Sequence, residues 1–272
     1  MKPRFDPLQV FRTSRTPAGL YARQKWLNEE NEQRWKADFQ ATVHSLRAAQ
    51  SPDGSWGHSV LATVRRLFGL HLTVRNPDEH IMRALDWLID KTWQPQTANR
   101  ADKRGPITEA ALQGLPLSPG SWPYLVKGAV LFLASIFGRE NDERILPLYE
   151  ALSMEGERKG GRWCGWSCSN NILRAFVVHP IYAESRATTY AVEALARVQS
   201  SSGRWPMHVP FYQTLNALAH LKLTAAEVQL EQAFKKLYET QQKDGTWGRS
   251  QQEWNTFLVV HALKNKGAFV VG

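Results

Sequence analysis

The sequence predicts an all-α fold, a closed or nearly closed ring of about five to six helical hairpins around a central cavity. Three observations predict it. A short motif, Gln-x3-Gly-x-Trp, recurs along the chain at a nearly fixed period. Each copy follows a segment with apolar residues at helical spacing and precedes a shorter segment that is apolar on most faces. No alternating apolar and polar stretch competes as a β-strand.

The elements follow in order. Residues 1–30 are basic and proline-interrupted (Pro3, Pro7, Pro17), with scattered Leu8, Val10, Phe11, Leu20 and Tyr21. They are expected to wrap over the ring and help close it, with a disordered arm as the alternative. Residues 31–272 are expected to form one ring domain. Full motif copies are Gln50 to Trp56, Gln199 to Trp205 and Gln241 to Trp247; partial copies are Gly120-Ser-Trp122 and Gly161-Arg-Trp163. The glycines fall at 54, 120, 161, 203 and 245, so the steps are 66, 41, 42 and 42. A fixed period of this size means stacked two-helix units sharing a core.

First helices of these units are read upstream of each Gln. One carries Ala191, Val192, Ala194, Leu195 and Val198 after Glu184-Ser185; the next carries Val228, Leu230, Phe234 and Leu237, opening at Thr224 with Glu227 as a capping box. Second helices are read at Val60 to Leu72, Tyr124 to Phe137, Ile172 to Val178, Tyr212 to Leu221 and Phe257 to Leu263. Apolar on most faces, these form the inner wall. At the junction, Gly ends the first helix in the left-handed conformation. Asp53-Gly54 and Asp244-Gly245 are turn chemistry. The Gln amide can bond backbone groups of a neighbouring helix end, with Trp packed over it.

Composition narrows the class. With 43% apolar residues, the 272-residue chain can bury a core, which excludes wholesale disorder. Two cysteines cannot build a disulfide framework at this length, which favours a reducing compartment. The most apolar uncharged run, Gly128 to Gly138, is 11 residues, well short of the roughly 20 of a spanning helix. The first residues lack the apolar stretch of a secretory signal, so a cytoplasmic protein is expected, with peripheral membrane contact as an alternative. The 34 basic and 25 acidic residues give a net charge of +9, which admits nucleic acid, an anionic surface or an anionic small molecule. The charges are spread, the densest groups being Arg65-Arg66, Arg100 to Arg104, Arg158-Lys159 and Lys235-Lys236, and a solvated basic surface is the simplest reading.

Gln-x3-Gly-x-Trp at the outer-to-inner helix turn resembles the QW repeats of the terpenoid cyclase and protein prenyltransferase superfamily, and is most similar to squalene-hopene cyclases. The resemblance covers about residues 31 to 266. It implies an α/α toroid whose cavity takes long apolar isoprenoids, with polar groups at the inner-helix N-termini doing the chemistry. The chain departs from the family's catalytic patterns. It has no DxDD segment, and with no Asp-Asp pair it has no DDxxD motif either. Asp86 and Asp90 read as a solvated helix face, and the sequence context of the prenyltransferase zinc ligands is not reproduced. The fold carries over and the catalytic residues do not.

If Gly-x-Trp marks the start of each inner helix, the residues just after it converge at one end of the cavity. His58, Tyr124, Lys127, Trp166, Asn171, Arg249, Trp254 and Asn255 are the ligand-binding candidates there. Helix N-termini with Lys127 and Arg249 could seat a diphosphate or carboxylate; the bland alternative sends both cations to bulk water. Cys164 and Cys168 share a helical face, and His208 follows one repeat later. These three could bind zinc, with His58 as a fourth ligand, or a cysteine could act as nucleophile with His208; Tyr212 completes the catalytic candidates. The alternative is two small buried apolar residues. His44, His71, His80, His220 and His261 fall within helices and read as interfacial or core histidines. The reading is a cyclase- or prenyltransferase-like protein acting on or binding an apolar isoprenoid-type ligand, anionic in one version. Its alternatives are a non-catalytic lipid-binding toroid and a HEAT-like scaffold for protein or nucleic acid, nucleic acid being the least favoured partner.

Overall fold

The computed structural model describes residues 3–92 and 107–269, and the Arg100 to Arg104 group lies outside them. Among the described residues there are eleven α-helices and no sheet: α1 Pro17–Lys25, α2 Gln33–Arg47, α3 Val60–Thr73, α4 Glu79–Thr92, α5 Trp122–Ile136, α6 Leu146–Arg158, α7 Trp166–Phe176, α8 Arg186–Val198, α9 Phe211–Leu218, α10 Thr224–Thr240 and α11 Gln252–Asn265. Each odd-numbered helix packs on the next odd-numbered one, and α11 packs back on α1. Six helices therefore close an inner ring, with α2, α4, α6, α8 and α10 outside it. The architecture is an α/α toroid. Closure of the ring sets aside the open superhelix that a HEAT-like scaffold requires.

Burial explains the layering. Leu67, Leu70, Val130, Leu131, Ile172, Leu215, Leu218, Val259 and Val260 are fully buried on inner helices walled on both sides. Each such side chain contributes about 1.5–3 kcal/mol of transfer free energy. Caps fix several starts: Thr16 accepts from the Gly19 amide with Pro17 at the first helical position, Ser59 accepts from Ala62, and Ser185 from Thr188. The capping box expected at Thr224 does not form. Thr224 is already helical, its N-cap position is Leu223, and Glu227 instead pairs with Lys266.

The junctions share one geometry. In the three full copies the turn is closed by Gly54 N to Ser51 O (2.9 Å), Gly203 N to Ser200 O (2.9 Å) and Gly245 N to Gln242 O (3.0 Å). The glycine is required twice over. Its φ is +92° at Gly54, +82° at Gly161, +78° at Gly203 and +85° at Gly245, and a Cβ there would lie within 2.4 Å of backbone in the next outer segment. The Gln amide reaches the same neighbour: Gln50 Nε2 donates to His80 O on α4 (2.9 Å), and Gln199 Nε2 to Gln229 O on α10 (3.0 Å). Gln241 has no following outer helix. It bonds residues 4 and 5 instead, accepting from the Arg4 and Phe5 amides (2.8 and 3.1 Å) and donating to Phe5 O (3.0 Å). The N-terminal segment thus occupies the outer-helix position between α10 and α2.

Three further sequence expectations change. The boundary at residue 30 cuts through the ring, because α1 is an inner helix touching α3 and α11. Gly120-Ser-Trp122 is not a junction: Trp122 is the first residue of α5, and Gly120 packs against Cys168 and Asn171 of α7 rather than against an outer helix. The 66-residue step reflects an insertion before α5. Asp86 and Asp90 are not merely solvated, since Arg144 pairs with both (2.5 and 3.2 Å) and ties α4 to the start of α6.

Candidate functional site

The inserted segment decides which end of the ring is free. Leu112, Leu115 and Leu117 are buried in it. Arg65 on α3 bonds Ala111 O, Asn171 on α7 bonds Ser118, and Trp254 on α11 donates to Leu115 O (3.2 Å). Helices α3, α7 and α11 are not neighbours in the ring, so a segment touching all three crosses its N-terminal end.

The sequence-predicted mouth is therefore occupied by the chain itself, and most candidates there hold structure. Asn171 Oδ1 accepts from Ser118 N (2.8 Å) and its Nδ2 donates to Ser118 O (2.9 Å). Asn255 Nδ2 donates to Ser250 O (2.8 Å), and His58 sits in the junction turn with Nδ1 3.0 Å from Asp53. Tyr124 donates to Glu155 (2.6 Å); burial, then that carboxylate, pushes the phenol well above its ordinary value. Lys127 lies over the Tyr124 ring, and Arg249 is exposed on the turn before α11. The two cations do not meet around a common anion site. Trp166 does meet His208 (ring centroids 6.3 Å), and Arg162 also lies over the Trp166 ring (4.7 Å). The cleft beside it, lined by Trp166, Ser169, Asn170, Leu195 and Thr214, holds about 10 Å³, room for roughly one water. Tyr212 is half-buried, with burial pushing its phenol up.

The proposed zinc set does not assemble. Among the described residues, no group of three or more His, Cys, Asp and Glu side chains stands together as a metal site. Cys168 is buried, its sulfur accepting from Ser121 N (3.4 Å), whereas Cys164 and His208 are exposed. Burial raises the Cys168 thiol, with the neighbouring Cys164 adding to it, which is the opposite of an activated nucleophile.

The interior below the inserted segment is aromatic. Phe68 of α3 meets Trp254 of α11 (5.9 Å) and Phe132 of α5 (5.9 Å). Because α3 and α11 flank α1 on opposite sides, their contact lies inside the ring. Trp254 stacks on Phe257 (5.3 Å), which stacks on Trp26 (5.2 Å) and meets Tyr21 edge-on (5.5 Å). Towards the C-terminal ends of the inner helices the lining turns basic. Arg174 of α7 lies over Phe132 (5.9 Å), and His71 of α3 touches Phe68 and Phe137. His220 and His261 lie 5.5 Å apart, and Arg75 covers Tyr21 (4.7 Å). Burial, then Arg75 and His261, lowers His71 to about 4; burial, then Arg174, lowers His261 to about 4. His71, His220 and His261 are each half-buried rather than fully enclosed.

Sequence reasoning missed this end. The signal was present: α3, α7, α9 and α11 all carry basic residues near or just past the helix C-terminus, among them His71, Arg174, His220 and His261.

No protein-family model and no curated protein matches the chain. Among solved structures it is similar to a protein from Actinoplanes (17% identity, TM-score 0.57, covering 97% of this chain and 90% of that one). It is also similar to the type II terpene cyclase MstE from Scytonema, as a variant in complex with its substrate geranylgeranyl dihydroxybenzoate (15% identity, TM-score 0.59, 96% and 87%) and as an apo variant (13%, 0.55, 95% and 86%). At these identities the likeness is one of fold, and the fold of this chain is that of the terpene cyclase-like α/α toroids.

Proposed function

We propose that this chain is a terpenoid cyclase-like protein that takes an apolar isoprenoid-type ligand into the ring. The observation that carries the reading is the continuous aromatic path from Phe132 through Phe68, Trp254 and Phe257 to Trp26. Ring faces of this kind pack branched prenyl chains and favour cationic intermediates. The substrate complex of MstE, a fold neighbour, is consistent with it.

Binding is the better supported half of this reading. The chain lacks the acidic motifs that start class II and class I cyclisation. The described side chains along the aromatic path are joined by Arg and His rather than by a carboxylic acid. The exposed large apolar side chains, Phe5, Met154, Ile181, Met207 and Val228, lie on separate elements and lend no support to a membrane-docking face.

Tryptophan fluorescence titration with geranylgeraniol and farnesol tests the proposal. Saturable quenching is expected, weakened several-fold by Phe132→Ala. Absence of saturation, together with no prenyl compound in the native mass spectrum of the purified protein, would overturn it. Turnover of a prenyl substrate, measured by product analysis, would convert the binding reading into a catalytic one.

A further inference from the structure

Among the described residues two arginines are almost completely buried, and the fold treats them in opposite ways. Arg23, fully buried on α1, is held by Glu29 (2.7 Å) and Asp38 (2.8 Å). Arg174, 2% exposed on α7, has no ion pair among the described residues. Its one hydrogen bond is Nη2 to Gln213 O (3.1 Å), and its Nε has no acceptor. A buried guanidinium without a counter-charge is costly, and folds normally pair it or replace it.

The groups around it repeat the pattern. His71 Nδ1 and Arg75 Nε are buried and also without hydrogen-bond partners. Arg75 has only Gln24 (2.9 Å) and the face of Tyr21. His261 Nδ1 accepts from Asn216 Nδ2 (3.3 Å), which leaves its Nε2 as the protonated nitrogen and a free donor. His220 faces Arg174, His261 and Lys266, and Lys266 is already engaged by Glu227. The cluster is therefore rich in cationic and N–H groups, and among the described residues its charge partners include no carboxylate apart from Glu227 on Lys266.

We propose that Arg174, with His71, Arg75, His220 and His261, forms a seat for an oxyanion, the carboxylate or phosphate head of the ligand, at the C-terminal end of the inner ring. The seat rests on the isoprenoid reading only for the apolar tail, which the aromatic path would take. An oxyanion supplies the acceptors that the Nε groups of Arg174 and Arg75 lack, and a guanidinium can bind it through two parallel N–H groups. It also gives the depressed histidines a reason to protonate, since an adjacent anion favours the charged form.

Two measurements on the full chain test it. The first follows the histidine ring nitrogens by ¹⁵N NMR against pH, with and without inorganic pyrophosphate. The midpoints of His71 and His261 are expected to rise from about 4 towards the ordinary value of about 6.5. The second compares the affinities of farnesyl diphosphate, farnesoate and farnesol. The better anion is expected to bind at least about tenfold more tightly than the alcohol, and the ranking of the two distinguishes a phosphate from a carboxylate head. Arg174→Gln should erase that preference, and Arg174→Lys should keep part of it. Where Arg174→Gln does not fold, His71→Asn should lower the preference several-fold. Equal affinities and unmoved histidines overturn the seat and leave the isoprenoid reading standing. Shifted histidines with no prenyl compound bound do the reverse. Silence in both measurements overturns both.

Discussion

Replacing Gln241 with Ala separates ring closure from ring formation. Four hydrogen bonds converge on this side chain: the Arg4 and Phe5 amides donate to Oε1 (2.8 and 3.1 Å), and Nε2 donates to Phe5 O and Gly245 O (3.0 Å each). Each net bond contributes about 0.5–1.5 kcal/mol. The freed N-terminal amides lie near the surface and can rehydrate, so the full penalty of burying them unpaired is not incurred. The expected loss is about 2–4 kcal/mol, or roughly 5–12 °C in Tm at this chain length. Gln199→Ala removes only the bonds to Gly203 O and Gln229 O, and should cost about half as much. The assay is thermal unfolding combined with amide hydrogen exchange. In Gln241→Ala the Arg4 and Phe5 amides should exchange at nearly unprotected rates while the α3, α5 and α11 amides stay protected. Retained protection at Arg4 and Phe5, or a Tm change below about 2 °C, would refute the assignment of the N-terminal segment to the missing outer position.

Gly245→Ala should be destabilising by more than about 2 kcal/mol, because φ is +85° and the new Cβ would meet Asp6 O at 2.2 Å; Gly57→Ala, at φ +60° with open space around it, should cost only about 1–2 kcal/mol in urea unfolding. Stability should fall with pH between 6.5 and about 4, since His71 and His261 are held neutral in the fold and the unfolded chain binds more protons there. Each contributes a loss of up to roughly 3 kcal/mol at the acid end. The hydrogen-bonded carboxylates Asp38 and Asp142, held below their ordinary value, add their loss only below about 4, so a flat profile from 6.5 to 4 would count against the buried histidines. Arg174→Met should leave the ligand-free protein as stable as before or more so, whereas Arg23→Met, which strands Glu29 and leaves Asp38 only the exposed Arg15, should cost about 3 kcal/mol in the same unfolding assay.

The repeat made the ring legible because its junction residues act locally. Asp53 and Asp244 cap their own turns through Ser55 N and Thr246 N (3.0 Å each), and the glycine conformation is set within the same few residues. What was not legible depends on partners far along the chain. Helix α1 reads as a polar fragment because Arg23 looks like a surface cation until Asp38 and Glu29 are folded over it. The clasp beneath each tryptophan was likewise hidden: the amides of Trp56, Trp163 and Trp247 donate to Thr63, Ser169 and Thr256 on the inner helices (3.1 Å each), hydroxyls at no fixed spacing from the motif. The partial copy at Gly120 misled because Gly-x-Trp without the turn-closing residues before it does not report a junction.

Misplacing the site has a physical cause as well. Inner-helix N-termini offer unsatisfied amides and a positive dipole end, and the sequence reading put the chemistry there. In this ring that end is covered by the chain: the side chains of Trp254, Asn171 and Cys168 bond the inserted segment, and Thr16 and Ser59 cap first-turn amides of α1 and α3. The C-terminal ends present carbonyls, which favour cations, so basic residues can be tolerated there at modest cost. Tolerance explains a cation at a helix end, as with Lys266 bonded to Leu221 O. It does not explain Arg174, which sits in the last turn of α7 but is buried under the aromatic path with a partnerless Nε. A fold that neutralises Arg23 with two carboxylates has the means to neutralise Arg174 and has not done so, and that contrast ties the open end of the ring to an anion rather than to stability.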